Sequence, residues 1–385
     1  MMTEERDATI QSLVGNDAGE FNYARQLLID RWPYVERWLA GQPFAPFEVE
    51  IQASSSCNLY CRWCVGHAIQ RQHKVLHLPN NITRDNIHQV VDGILACRYD
   101  GLGIDTVKFS GFIGEPLLVW DTIEPAVQRL VGAGLRVGIF TNGILMNEPK
   151  WTTLVNVAYV HVSLDAGPNT FGPLRGMGRK DTRGYDTVIS NIAGLHEKRK
   201  ANYKVLSGPR INIGYVVVPW NTCEIEVATH AVKAAGADSI RFKVDVTGEH
   251  DLTDSDKMDE AFSAMRRMAD FYADDEFNVH IIHDRQAVEG HEYTTWQSAQ
   301  GCFFQHFCAS VGSDGNLYLC DFNTMPGAVP LGNVINQPFK DVWDSARRQY
   351  LADGACHICL SSVCPPFGNA ANMLLEKLKA QGEPP

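Results

Sequence analysis

No basic surplus marks this chain: 34 Lys and Arg stand against 45 Asp and Glu, a formal net charge of -11 over 385 residues. A nucleic-acid binder carries a basic footprint, so that class is excluded as an expectation, and an anionic membrane surface is a poor partner on the same ground. No apolar run approaches the ~20 residues that span a bilayer; Ile213 to Trp220 is about the longest and reads as a buried strand. The opening MMTEERDATIQ lacks the basic and apolar stretches of a secretory signal, which makes the cytoplasm the expected compartment. Solenoid-length repeats and low-complexity tracts are missing as well. What is left is ordinary globular composition, 45% hydrophobic and 21% charged, in a chain long enough for two domains.

Cysteine, by contrast, is plentiful. Eleven are present, an odd number clustered at two places, which suits metal ligation in a reducing compartment better than a disulfide framework. The first cluster is CNLYCRWC, residues 57–64, with spacing CxxxCxxC. A structural zinc site closed by His67 is one reading of it. A [4Fe–4S] cube held by three thiolates, with one iron left open for chemistry, is the other.

The loop sits at a telling point in the chain. Residues 1–45 form a helical preface, in which FNYARQLLIDRWPYVERWLAG carries apolar residues at helical spacing. FEVEIQA (47–53) then alternates as a strand and leads into the cysteines. DTVKFSG (105–111), RVGIFTN (136–142), YVHVSLDA (159–166), RINIGYVVV (210–218) and SIRFKVD (239–245) follow, with amphipathic helices between them. Such alternation specifies an α/β fold on a parallel sheet, open or curled into a partial barrel. The barrel unit covers residues 46–250, a connecting helix and strand 251–299, and a cysteine-rich second domain ending in a helix 300–385. A strand buried on both sides is normally apolar throughout. Here His161, Ser163 and Asp165 share one face of their strand, as do Arg241, Lys243 and Asp245 of theirs, so a polar cavity inside the barrel is expected.

Taken together these motifs resemble the radical S-adenosylmethionine superfamily over residues 47–245. Its CxxxCxΦC loop is matched by Cys57, Cys61, Trp63 and Cys64. FSGFIGEPLL is similar to the family's glycine-rich strand end, with Gly114, Glu115 and Pro116 matching and Phe112–Ile113 inserted. TNG and VSLDA resemble the third and fourth strand ends, and IGYVVVP the fifth, where backbone groups hold adenine. The resemblance implies a partial (β/α)6 barrel and a catalytic [4Fe–4S] cluster on Cys57, Cys61 and Cys64. The open iron then binds S-adenosylmethionine, which an external low-potential donor such as flavodoxin or ferredoxin helps cleave to a 5′-deoxyadenosyl radical. Cofactor contacts fall to Trp63, Gly114, Glu115, Thr141, Asn142, Ser163, Asp165 and Val217. His161, Arg241 and Lys243 become substrate contacts. Cys97 and Cys223 become candidate hydrogen-atom donors, unless they are simply small hydrophobes.

Cys302, Cys308, Cys320, Cys356, Cys359 and Cys364 form the second cluster, within 63 residues. Structural zinc is again an alternative, but Gly315-x4-Cys320 and LGNV…F.DVW.S before a CxxC resemble the SPASM and twitch extensions of the same superfamily. A shortened version is expected, with one auxiliary [4Fe–4S] cluster on Cys302, Cys320, Cys356 and Cys359, and with Cys308 and Cys364 spare. Two incompletely ligated clusters would enlist all six. The roughly 45 residues before the first strand are short for a winged-helix peptide-recognition domain. The expected substrate is therefore a small polar molecule (a sugar, aminocyclitol or nucleoside) that is oxidised, epimerised or rearranged. A ribosomally made peptide is the alternative, and a non-catalytic structural metal-binding protein is the alternative from another class.

Overall fold

All six expected strands form, in chain order: β1 (Glu48–Gln52), β2 (Thr106–Ser110), β3 (Arg136–Thr141), β4 (Tyr159–Ser163), β5 (Arg210–Val217) and β6 (Ser239–Val244). Four more follow: β7 (Asn278–Ile281), β8 (Cys308–Val311), β9 (Asn316–Tyr318) and β10 (Gly332–Asn333). The structure is a computed structural model that describes residues 20–64, 80–111, 114–176, 183–203, 208–245, 255–282, 302–320, 329–350 and 366–382. Among these the main sheet runs β10-β9-β8-β1-β2-β3-β4-β5-β6-β7. Pairing is parallel from β8 to β7, and only β8-β9 and β9-β10 are antiparallel. The sheet is open, with β10 and β7 at its edges.

Helices connect the parallel strands, as right-handed crossovers require. α1 (Glu20–Asp30) and α2 (Trp32–Leu39) precede β1, and α3 (Arg84–Ala96), α4 (Trp120–Gly132), α5 (Glu148–Leu154), α6 (Phe171–Arg175), α7 (Arg183–Asn202), α8 (Ile225–Ala234) and α9 (Ser255–Tyr272) lie between the strands. α10 (Phe339–Trp343), α11 (Ala346–Tyr350) and α12 (Pro366–Gly382) belong to the C-terminal part. α3 shows why they form. The Thr83 side chain caps its start by accepting from Asn86 N–H at 3.2 Å. Ile87, Val90, Val91 and Ile94 then recur at helical spacing and are buried.

Strand parity decides which sheet face those helices cover. Val107, Phe109, Ile139, Val160, Ile213 and Phe242 are fully buried in one core with the inner stripes of α3, α4, α7 and α8. Their neighbours Lys108, Phe140, His161, Arg241 and Lys243 point to the opposite face, away from that core. Two inner-face glycines make room for rings. A Cβ on Gly138 would strike Tyr159, and one on Gly214 would lie 2.7 Å from His161 Nε2.

The C-terminal part is built onto the same sheet. β8 adds in parallel beside β1, pairing Glu48 with Cys308 and Glu50 with Ser310. A second, smaller core joins the preface to α12, through Leu28, Val35, Phe44, Phe307, Leu374 and Leu375. Among the described residues no helix is long and apolar enough to cross a membrane.

Candidate active site

In a parallel sheet the loops that leave the C-terminal strand ends converge, and here they bring together β1 to β4. The loop after β1 is fixed on two sides. Ile82 N–H donates to the Ala53 carbonyl and Ser55 N–H to that of Asn80, both at 2.9 Å. The buried Ser54 hydroxyl donates to Asn81 Oδ1 at 2.7 Å. Opposite, Tyr60 N–H and Arg62 N–H donate to the carbonyls of Arg175 (3.1 Å) and Leu174 (3.2 Å). Gly176, at φ +79°, permits this approach, because a Cβ there would sit 2.6 Å from the Tyr60 carbonyl oxygen.

Cys57, Cys61 and Cys64 are thereby held as electrostatic neighbours. Burial pushes the Cys61 thiol up to about 12, with Arg175 opposing and Asp165, Cys64 and Cys57 adding to the rise. Burial also raises Cys57, against a Leu59 N–H donated to its sulfur at 3.4 Å. Three thiolates need a cationic core to persist here, and an iron–sulfur cube supplies one. A cube takes one thiolate per iron corner, so three cysteines leave its fourth iron open. His67, the fourth ligand of the zinc reading, lies outside the described residues, as do Phe112 and Ile113.

Glu115 ties the second strand end to the third. Its Oε1 accepts from Leu117 N–H (3.0 Å) and the Thr141 hydroxyl (2.7 Å), and its Oε2 accepts from Asn142 N–H (2.8 Å). Burial raises its pKa, while those three donors and Arg175 pull the other way. Asn142 reaches back to the cysteine loop, donating to Asn58 Oδ1 at 2.7 Å. Gly114 has to be glycine, since a Cβ would overlap the Ser54 carbonyl. Gly114, Glu115, Thr141 and Asn142, singled out from sequence, thus meet beside Cys57.

At the fourth strand end Asp165 adopts φ +57°, uncommon for a residue with a side chain. It forms a buried ion pair with Arg175 and accepts Val216 N–H at 2.9 Å. Arg175 also donates to the Ser163 carbonyl at 2.9 Å, and its Nε is buried with no partner among the described residues. Sequence reasoning missed Arg175. It lies within electrostatic reach of Cys57, Cys61 and Glu115, so it stands at the centre of the constellation.

Other candidates fall elsewhere. Trp63 is buried against Leu174 and Val218 in a small apolar cluster. Val217 shares the helix-side parity of Ile213, and its carbonyl accepts Asp245 N–H at 3.1 Å. Cys97 caps the C-terminus of α3 inside the helix-facing core, with its thiol pushed up to about 12 by burial. Cys223 is exposed in the turn before α8. Neither cysteine is on the polar face of the sheet. His161 is buried there, its pKa driven well below the usual value by burial, Lys243, Arg241 and Lys108. Burial, Arg241 and Lys108 likewise bring Lys243 down to about 8, with Asp165 opposing.

In the second cluster, Asn372 of α12 donates to Cys302 Sγ at 3.4 Å. Cys308 opens β8, and Cys320 lies two residues past the end of β9, its antiparallel partner, which pairs Ser310 with Tyr318 and Val311 with Leu317. Cys356, Cys359 and Cys364 lie outside the described residues.

Comparison with known proteins adds the following. The Radical SAM superfamily model matches residues 51–232, and an iron-sulfur cluster-binding domain, SPASM, matches residues 302–365. The AdoMet-dependent heme synthase of Methanosarcina barkeri is 26% identical over 346 residues, 83% of this chain and 90% of the relative. The cysteine-type anaerobic sulfatase-maturating enzyme of Clostridium perfringens is 24% identical over 314 residues, 76% of this chain and 78% of the relative. In fold the chain is similar to Streptococcus suis SuiB, solved bound to precursor peptide SuiA, with TM-score 0.57 at 15% identity over 89% of this chain and 76% of that one.

Proposed function

Because the chain belongs to the radical S-adenosylmethionine superfamily and carries a SPASM iron–sulfur domain, we propose that it is a maturase that modifies a side chain of a peptide. Its cofactors are a [4Fe–4S] cluster, auxiliary iron–sulfur and S-adenosylmethionine. When bound, such a cluster would supply one-electron reduction at the S-adenosylmethionine sulfonium, the start of its radical chemistry. Everything else is the task of the polypeptide.

Cys57, Cys61 and Cys64 hold that cluster. Glu115 takes the amine end of S-adenosylmethionine, and Arg175 uses its unpartnered Nε for the carboxylate. Asp165 keeps Arg175 aimed, and Asn142 bridges the cysteine loop to Glu115. For the auxiliary site, Cys308 opens the hairpin arm that pairs with the one leading to Cys320, which favours the two-cluster alternative that enlists Cys308 beside Cys302, Cys320, Cys356 and Cys359. The SPASM match encloses all six cysteines, Cys364 included.

A single convergence carries the peptide assignment: one sequence relative is named for maturing a sulfatase, and one fold relative was solved with a precursor peptide. The small-molecule expectation rested on the short preface before β1 and on the polar strand faces, and a maturase among the sequence relatives weighs against it. The heme synthase relative supplies the competing substrate class for the test.

Reconstituted enzyme, S-adenosylmethionine and dithionite would be incubated with peptides encoded beside its gene, with a free sugar or nucleoside, and with a heme precursor. A peptide mass change that disappears with Cys61→Ala is the expected result. Turnover of a small molecule with all peptides inert would overturn the peptide reading. Equal S-adenosylmethionine cleavage by wild type and Cys61→Ala would overturn the cluster assignment itself.

A further inference from the structure

The polar face of the sheet divides into two electrically different halves. On the β1-β2 side the charges answer one another: Lys108 is ion-paired with Glu48, it lies across from Glu50 in the ladder, and Glu50 accepts the Ser110 hydroxyl. On the β6 side no acid among the described residues pairs with the cations. Arg241 pairs in register with Gly214 on one flank and His280 on the other, and Lys243 with Val216. Neither Arg241 nor Lys243 has a hydrogen bond or ion pair among the described residues. The acid that acts on Lys243 is Asp165, already committed to Arg175 and Val216 N–H. Asp245, two residues further on, is buried and engages Val217 through its own N–H.

Beside these cations lies Gly214, whose missing side chain leaves room for the His161 ring. Gly214 pairs with both Ser163 and Arg241, and any side chain there would occupy the space against His161 Nε2. His161 is buried beside three cations and is held neutral, so it offers a hydrogen bond instead of a further charge. Half-buried cations without an anion are unfavourable unless a ligand completes them. Arg241 and Lys243 project from one face about 6.6 Å apart along the strand, a spacing at which a guanidinium fork and an ammonium can share one carboxylate.

We propose that Arg241 and Lys243, with His161 seated over Gly214 beside them, bind the carboxylate of an acidic side chain, Asp or Glu, in the peptide substrate. The inference rests on the peptide-maturase reading above and deepens it. Arg241 is joined through Gly214 to Ser163 at the fourth strand end, so an acidic residue anchored there brings the neighbouring peptide carbon toward the S-adenosylmethionine site.

The test uses reconstituted holoenzyme with S-adenosylmethionine and two probes, N-acetyl-glutamate N-methylamide and the matching glutamine compound, followed by ligand-detected NMR. The glutamate probe should bind roughly tenfold or more tightly than the glutamine one, the scale of a charge-assisted hydrogen bond. Arg241→Gln/Lys243→Gln should abolish that preference, and Lys243→Arg should retain it. Equal binding of the two probes by wild type overturns the proposal without any variant. So does a double variant that keeps the preference but needs tenfold more S-adenosylmethionine for substrate-free cleavage, since the cations would then serve the cofactor. Absence of cleavage in wild type would strike the radical reading alone and leave the carboxylate result standing.

Discussion

Arg175 offers the sharpest perturbation, because its removal should damage stability and cofactor binding by separable routes. Arg175 and Asp165 side chains are 3% and 6% exposed, so solvent screens their attraction little. Removing one partner of such a pair leaves a buried, uncompensated charge and costs about 3–5 kcal/mol. Arg175→Met should therefore be destabilised by about that much in anaerobic urea unfolding. The double variant Arg175→Met/Asp165→Asn removes the stranded charge. Asn at 165 can still accept Val216 N–H, now at 2.9 Å from Asp165 Oδ1, and it tolerates φ +57° at least as well as Asp. Stability should recover by ~2 kcal/mol or more. S-adenosylmethionine affinity, measured by calorimetry on reconstituted protein, should stay at least tenfold weakened in both variants. A double variant as unstable as the single would mean that the ion pair is not what the fold depends on. A double variant that binds S-adenosylmethionine like wild type would reduce Arg175 to a structural residue.

Three further outcomes follow from the geometry. Cys57/Cys61/Cys64→Ala should lose about four irons per chain on reconstitution, and Cys308→Ala should lose iron from the remaining pool while Cys97→Ala loses none; Cys308→Ala with full iron would return Cys308 to a spare. Gly114→Ala would force its Cβ into the Ser54 carbonyl, so the variant should fail to assemble the catalytic cluster, and normal Mössbauer spectra would refute that close approach. Lys243 titrates near about 8 in the fold against an ordinary 10.5. Between those values the unfolded chain binds the extra proton, so the penalty is present below about 8 and relieved as pH rises toward 10.5. Lys243→Met should be more stable than wild type at neutral pH, by up to ~3 kcal/mol, with the gain fading as pH climbs. Parallel stability curves would contradict it.

The residues that sequence reading found and those it missed differ in a physical way. Strand alternation is local, so the six parallel strands and the inward parity of His161, Arg241 and Lys243 were legible from period-two patterning alone. Val217, in step with Ile211, Ile213 and Tyr215 on the helix side, is left with the backbone role expected of it. Glu115 was found because its neighbours Gly114 and Pro116 form a recognisable loop. Arg175 had no such signature. Its importance comes from the left-handed turn at Asp165, the short return through α6, and the crossing of the cysteine loop over Gly176, none of which has a periodic trace. The pairing of β8 with β1, which joins segments some 260 residues apart, likewise has no local trace. Charge state is the deepest layer. The same alternation that points His161, Arg241 and Lys243 inward cannot say that Glu48 neutralises Lys108 while no acid among the described residues pairs with Arg241 or Lys243. That asymmetry emerges only when the ladder is assembled, and it gives the proposed carboxylate site its sign.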